Sequence, residues 1–493
     1  MRWRVVLVVV TALLASLGTG ATAQDARSVV DVLARTLGAA NVKSLQYSGS
    51  GYVFGFGQSY EPGGPWVKFT LKSYTLVTDY ERQAWREDQV RTYLDPPERG
   101  GTAVFVGELR QVAFVNGDVA WNAGADGTPA PAPLAVEARQ LQIPISPHGF
   151  VKAAMAATPT VAARTVDGRR LTVVSFTWKG RYRINGYING QNLLEKVETW
   201  MPEPLLGDML VENTFSDYRD VAGVKFPGRI VQTQGGFPVL DLTVSSVQPN
   251  APAPIDVPEA ATRPVPPVGR VEVVKVAEGV WLLVAPVGPN SLVVEFRDYV
   301  ALVEAPFSEE RSLAVIAEVK TLVSAKPIRY LINTHHHFDH SSGIRTYVAE
   351  GATIITHRIN ADFYNRVLRL PRTLGPDTLS RNPKPARFET LTDKYVLTDG
   401  TRSLELHRLE GNTHNPGLLL VYLPKERLLH QADAFTAPPP GAPLPPAVNM
   451  VNARNLNLLA NIDRLRLQVD QITAAHGRVM PIAGLWKAVG RSK

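Results

Sequence analysis

The sequence predicts an α+β protein of two unlike parts: an antiparallel β-rich N-terminal domain over residues 24–248 and a C-terminal domain over residues 270–493 in which strands and helices alternate. Three observations predict it. The front half carries short period-two runs separated by Asn-Gly, Asp-Gly and Gly-Gly pairs; seven prolines crowd between Pro249 and Pro267; beyond them, apolar strand-like runs give way to capped helical segments.

The elements follow in order. Met1-Arg2-Trp3-Arg4 is a basic head, 5–17 an uncharged and mostly apolar run, and Ala21-Thr22-Ala23 a small-x-small cleavage site. That is the layout of a secretory signal peptide over residues 1–23. The apolar run is shorter than the roughly 20 residues a bilayer span needs. The expectation is an exported protein without a stable membrane anchor, periplasmic if the host has an outer membrane and otherwise secreted. Residues 26–37 read as a helix with Val30, Leu33 and Leu37 on one face and Gly38 closing it. The pattern then alternates, with Val67, Phe69 and Leu71 between Lys68, Thr70 and Lys72. Strand-like runs recur at 171–178, 183–188, 193–200, 211–218, 225–232 and 239–244, with turns expected at Asn116-Gly117, Asp167-Gly168, Asn185-Gly186 and Gly235-Gly236. Together they predict a meandering antiparallel sheet.

The prolines at 249, 252, 254, 258, 264, 266 and 267 mark residues 249–269 as a stiff, extended linker. Beyond it, strands are expected at 279–284, 291–296, 299–304, 328–333 and 353–356. A helix is expected over 309–323, capped by Ser308 with Glu309 and Glu310 in its first turn, and another over 341–350, stopped by Gly351.

Composition narrows the chemistry. The chain has 493 residues, 45% hydrophobic and 20% charged, and contains no Cys. Disulfides, iron–sulfur clusters, thiolate zinc sites and Cys nucleophiles are excluded, so any metal must rest on His and carboxylate. A net charge of +7 is thin for this length and does not point to nucleic acid.

Histidine is unevenly placed: only His148 precedes the linker, and nine follow it, at 335, 336, 337, 340, 357, 407, 414, 430 and 476. The densest run is Thr334-His335-His336-His337-Phe338-Asp339-His340-Ser341-Ser342-Gly343, between a buried-type strand and a helix, where α/β folds present ligands. Residues two apart in an extended turn share a side, so His335 and His337 can grip one ion, and Asp339 and His340 can face a second. Imidazole and carboxylate suit zinc, or iron and manganese. His336 is expected to point away, and His357, His407 and His430 to have structural roles.

This motif resembles that of the metallo-β-lactamase superfamily. Later segments resemble the rest of the family's set in the same order: Gly411-Asn412-Thr413-His414-Asn415-Pro416-Gly417, then Gln431-Ala432-Asp433, then Ala474-Ala475-His476-Gly477. The resemblance spans roughly 270–485 and implies an αββα sandwich. It implies one site of His335, His337 and His414, a second of Asp339, His340 and His476, and Asp433 bridging them. Two departures stand out: Ser341-Ser342-Gly343 where Gly-Gly is more usual, and Asn415 where Thr or Ser commonly follows the third histidine. The front domain resembles the curved antiparallel sheets of lipoprotein-carrier type, on the pattern Thr214-Phe215-Ser216-Asp217-Tyr218 to Val224-Lys225-Phe226-Pro227.

The resemblance implies metal-assisted hydrolysis. Two zinc ions would hold a bridging hydroxide, with Asp339 orienting it and accepting its proton, and the target would be an ester, lactone, amide or thioester. A small-molecule substrate is expected, acyl or amphiphilic, with a rim at the proline-rich 436–446 and the basic loop 369–385. The alternatives are a mononuclear iron dioxygenase of sulfur compounds on the same fold, and a non-catalytic metal-binding protein.

Overall fold

In a computed structural model of the chain, residues 23–101, 105, 107–124, 126–435 and 449–491 are described. Residues 1–22 of the expected signal segment and the proline-rich rim 436–446 lie outside the described residues.

The helix Ala23–Leu37 buries Ala26, Val30, Leu33 and Leu37 completely. It stops at Gly38, whose φ is 65°; a side chain there would collide with the carbonyl of Gly223. Among the described residues the front domain then holds, beside a separate two-stranded ribbon of Arg219–Val221 and Val224–Phe226, one antiparallel sheet of 13 strands. Its first strand, Ser44–Phe54, pairs in the middle of the sheet with its last, Phe237–Pro249, Leu45 lying opposite Pro249 and Val53 opposite Leu240. One wing runs outward from Lys68–Asp79 to Pro129–Pro131, and the other from Arg229–Gln234 to Thr160–Val166. Alternation decides which face is buried: Gly207–Ser216 buries Met209, Val211, Asn213 and Phe215 and turns the residues between them outward. The helices Ala23–Leu37 and Pro147–Ala156 share one apolar cluster with the sheet, in which Leu33, Leu37 and Phe150 meet Leu45, Val174 and Val211.

One expected turn is corrected. Asn185 and Gly186 lie inside the strand Tyr182–Ile188 rather than between strands. Gly186 lacks a side chain because the Phe150 ring covers it; a Cβ would come within 2.2 Å of that ring. Asn185 spends its amide on Glu198 at 3.0 Å. The run expected over 225–232 is split into Val224–Phe226 and Arg229–Gln234 by Pro227-Gly228. The sheet also holds a cavity of about 610 Å³, lined by polar Glu87, Gln89 and Arg139 as well as by aromatic Tyr74, Trp85 and Phe215.

The proline-rich segment lies along the front sheet, extended except for one helical turn at Glu259–Thr262. Ile255 and Ala261, apolar residues between its prolines, are buried with Val77, Ala84 and Trp121, and Asn116 donates to the Ile255 carbonyl at 2.7 Å.

The C-terminal domain has four layers. A 7-stranded sheet from Glu272–Ala277 to Arg387–Leu391 faces a 6-stranded sheet from Lys394–Thr398 to Met480–Pro481. Leu282, Val294, Val303 and Ile332 meet Leu404, Leu406 and Val421 between them. Outside the first sheet lie Glu309–Leu322, Ile344–Glu350 and Ala361–Val367; outside the second lie Asn449–Arg464 and Ala483–Ala488. Ser308 caps the first of these helices by accepting from the Arg311 amide, and Gly351, at φ 98°, ends Ile344–Glu350. The central strands Val300–Val303, Ile328–Ile332 and Thr353–His357 run parallel, so their C-terminal ends open on one edge, where the histidines cluster. The two domains dock through Arg372, which donates to the carbonyls of Glu203 and Leu205, and Asp208, which accepts from Thr373 and Leu374.

Candidate metal centre

The strand Ile328–Ile332 ends in a fully buried stretch, Asn333 to His337. Asn333 fixes its shape by accepting from Tyr364 Oη at 2.6 Å and donating to the His340 carbonyl. His337 is still extended, at φ −57° and ψ 146°, and the helical turn Phe338–Ser341 starts directly after it. His335 and His337 therefore share a side, while Asp339 and His340 project from the first helical turn. His414 arrives on the loop after Gly411, held by Asn412 Oδ1, which accepts from the amides of His414 and Asn415. Asp433 follows the strand Leu428–Gln431, and His476 follows Gln471–Ala474.

The structure brings all seven of these residues together as two sets, His335, His337, His414 and Asp433 in one, and Asp339, His340 and His476 in the other. In the first, His335 Nε2 lies 3.0 Å from His337 Nδ1, 3.2 Å from His414 Nε2 and 3.2 Å from Asp433 Oδ2. In the second, His340 Nε2 lies 3.1 Å from His476 Nε2 and 3.3 Å from Asp339 Oδ2, and these last two are 3.2 Å apart. Asp433 Oδ2 joins the sets, at 3.3 Å from His414 Nε2 and 2.8 Å from His340 Nε2.

These separations fit metal coordination. A tetrahedral ion with bonds of about 2.0–2.1 Å has ligand-to-ligand edges of about 3.3–3.4 Å. Asp433 Oδ2 is buried, has no hydrogen-bond partner among the described residues and lies within 3.3 Å of His335 Nε2, His340 Nε2 and His414 Nε2. The donor set is neutral imidazole and carboxylate, which suits a divalent cation.

The charges divide in the same way. Burial pushes His335 down to about 3, with the charge on His340 adding to it, and burial also lowers His337 and His414. These three are neutral and ready to coordinate. Burial would lower His340 too, but Asp339, Asp433 and Glu304 outweigh it and hold its pKa well above the usual range; Asp433 and Asp339 raise His476 in the same way. Burial alone would raise Asp433 and Asp339, yet the positive charge on His340 keeps both well below the usual carboxylate range.

Around this set lies a shell that the sequence did not signal. Glu304 ends the strand Val300–Val303 with a left-handed φ of 74°, a strained conformation for a side-chain-bearing residue, and is fully buried. It accepts from the Thr334 hydroxyl, which contacts His335 Nδ1 at 3.0 Å, and its other oxygen faces His340 Nδ1 at 3.4 Å. One carboxylate thus orients a ligand of each set. The front domain supplies the remainder. His337 Nε2 donates to the Ser59 carbonyl at 2.8 Å, and Gln58 Nε2 donates to Asp339 Oδ1 at 2.9 Å.

His336 does point away from the ligand atoms: its Nε2 meets Ser59 Oγ at 3.0 Å and its Nδ1 meets Asn415 Nδ2 at 2.8 Å. Asn415, one of the two departures noted in the sequence, also donates to the Tyr60 carbonyl at 3.3 Å and so bridges its loop to the front domain. Ser341 donates to the His336 and His337 carbonyls, and Gly343 is needed because a Cβ there would strike Ser312 Oγ at 2.0 Å. His407 contacts Glu405 and His430 contacts Thr473; neither belongs to the two sets, nor does His357.

Residues 284–471 match the family described as the metallo-beta-lactamase superfamily. Among solved structures, the chain is similar to a metallo-beta-lactamase from Pontibacter korlensis, at 16% identity over 45% of this chain and 98% of that one, with a TM-score of 0.35. It is also similar to the metallo-beta-lactamase FIM-1 from Pseudomonas aeruginosa in its mono-zinc form (18% identity, 45% and 93% covered, TM-score 0.34) and to a metallo-beta-lactamase from Erythrobacter litoralis (16%, 45% and 96%, 0.34).

Proposed function

Taking the C-terminal domain as a metallo-β-lactamase-superfamily domain of hydrolase type, we propose that the chain is a two-zinc hydrolase of an ester, lactone, amide or thioester in a small acyl or amphiphilic molecule. Export, through the leader over residues 1–23, belongs to the same proposal. The single observation that carries the two-ion reading is Asp433 Oδ2, within 3.3 Å of ligand nitrogens in both sets.

When bound, a pair of divalent ions lowers the pKa of a shared water to near neutrality and polarises the carbonyl it attacks. The residues of the chain divide the remaining work. His335, His337 and His414 present neutral nitrogens; the Ser59 carbonyl fixes the tautomer of His337, leaving Nδ1 as its coordinating atom. Asp339 turns Oδ2 toward His340 and His476 and is held by Gln58 at Oδ1, a position from which it orients water and accepts its proton. No Ser or Cys nucleophile is required.

The test is turnover of an ester, lactone and thioester panel by the wild type and by the His335→Ala, His337→Ala double variant. Loss of turnover with a folded front domain is expected. Retained turnover in the double variant refutes the site, and one iron per chain with oxygen consumption replaces the hydrolase by a dioxygenase.

A further inference from the structure

The metal centre is not complete within the C-terminal domain. Between the strands Ser44–Phe54 and Lys68–Asp79, the front domain extends a loop onto the ligand motif. Phe56 and Trp66 pack edge-on against Phe338, which lies between the ligands His337 and Asp339, with ring centroids 5.3 and 6.4 Å away. Gly57 sits on the same ring so closely that a Cβ would fall 2.4 Å from it. The next two residues make the ligand contacts already described, Gln58 to Asp339 and Ser59 to His337. A second loop closes in from the side. Gly100 donates to the Thr413 carbonyl at 2.9 Å, and its own carbonyl accepts from Arg454 at 3.1 Å. Gly101 donates to the Gln58 carbonyl, and a Cβ on it would lie 2.1 Å from Gln58 Oε1 and 2.4 Å from His337 Cε1.

From these contacts we propose that the N-terminal domain is a working part of the metal centre, with Gln58 as a positioning residue for Asp339 and Gly101 as the residue whose missing side chain leaves His337 its place. The inference rests on the two-ion reading above. Its physical content is asymmetric. Asp339 Oδ2 faces His340 and His476, so Oδ1 must be tied back if the carboxylate is to keep that orientation, and the Gln58 amide supplies that tie from a separate domain. Gln58 is 281 positions away from Asp339 in the chain, and its contact exists only when both domains are folded and docked. Gln58 therefore acts on the Asp339–His340–His476 set, whereas Gly101, whose Cβ would meet both Gln58 Oε1 and His337 Cε1, bears on both sets.

The experiment is zinc titration of the full-length, metal-stripped chain against a chromophoric chelator, which resolves the two binding events without reading turnover. Gln58→Ala is expected to weaken the second event 10–100-fold, the usual cost of losing an outer-shell partner, with the first within about threefold. Gly101→Ala is expected to weaken the event carried by His335, His337 and His414 more than tenfold. Asp208→Ala loosens the docking at Thr373 and Leu374, away from the metal centre, and is expected to bind zinc like the wild type. Far-ultraviolet circular dichroism and melting of each metal-stripped variant establish that it is folded. Wild-type affinities for both events in folded Gln58→Ala overturn the role of Gln58. An equal loss in Asp208→Ala assigns the effect to docking alone and overturns it too, and unchanged binding in Gly101→Ala overturns the role of Gly101. A wild type that binds fewer than two zinc ions removes the two-ion reading and this inference with it, whereas two tight ions in both wild type and Gln58→Ala remove this inference only.

Discussion

Glu304→Gln removes one buried carboxylate from beneath both ligand sets while preserving its size. In the native chain the two Glu304 oxygens face two groups, the Thr334 hydroxyl and His340 Nδ1. An amide offers one oxygen and one NH₂, so whichever way it settles, one of those groups meets a donor instead of an acceptor. In one orientation the proton that His340 carries on Nδ1 when Nε2 coordinates loses its acceptor; in the other the Thr334 hydroxyl, which contacts His335 Nδ1, loses its own. Loss of such a partner typically weakens metal binding about 10–100-fold, which is about 1.4–2.7 kcal/mol of metal-linked stability when zinc is in excess. At about 2–4 °C per kcal/mol for a domain of this size, the zinc-dependent rise in melting temperature shrinks by about 3–11 °C. Differential scanning calorimetry of the wild type and Glu304→Gln, each with chelator and with saturating zinc, reads this directly. The metal-free curves serve as the reference for any change in intrinsic stability. Equal zinc-dependent shifts in the two proteins, with affinities within threefold, would refute the reasoning.

Two further outcomes are expected away from the metals. Burial lowers the buried His148 from 6.5 to about 4, so the unfolded chain binds one more proton than the folded chain between those values. Stability from this group is fully present above pH 6.5 and lost as pH falls toward 4, at most about 3 kcal/mol. His148→Phe should therefore gain on the wild type by up to that amount between pH 7 and 4 in urea denaturation, and parallel pH curves would contradict this. Arg345 pairs with Asp377 through two nitrogens and also donates to the Leu368 carbonyl, with both paired side chains largely buried. Arg345→Ala takes the two-nitrogen partner from Asp377, which keeps Ser380 and the Arg372 guanidinium at 3.6 Å, and is expected to cost about 3 kcal/mol, the low end for breaking a buried pair, in the same denaturation assay; a loss below 1 kcal/mol would show the pair to be solvated.

What the sequence makes legible follows from how local each constraint is. That His335, His337, Asp339 and His340 come together was readable because groups that share a site from one strand-to-helix turn must recur at fixed short spacing. His414, Asp433 and His476 were readable only through their order relative to that motif. The αββα layering followed from the resemblance, and the antiparallel front sheet from period-two runs. The outer shell left no comparable trace. Glu304 is one acidic residue at the end of an apolar strand, and its role depends on a left-handed backbone that composition does not reveal. Gln58, Ser59 and Gly101 reach the ligands across more than 230 positions, through domain docking, which no local pattern encodes. Asn185-Gly186 misled for a related reason: a glycine that makes room for an aromatic ring reads, in one dimension, like a glycine that makes a turn. Asn415 shows the converse. It stood out as a departure from the family pattern, and its partners His336 and Tyr60 show that it joins the third-histidine loop to the front domain.

The most direct test of the central claim is the zinc content of the full-length chain after reconstitution and removal of free metal, measured by plasma emission spectrometry against quantitative amino-acid analysis. Seven ligands in two sets sharing Asp433 lead to two zinc ions per wild-type chain, and to one or fewer once His340 and His476 are both replaced by alanine. A wild-type chain that holds a single ion, or a double variant that still holds two, would contradict the account.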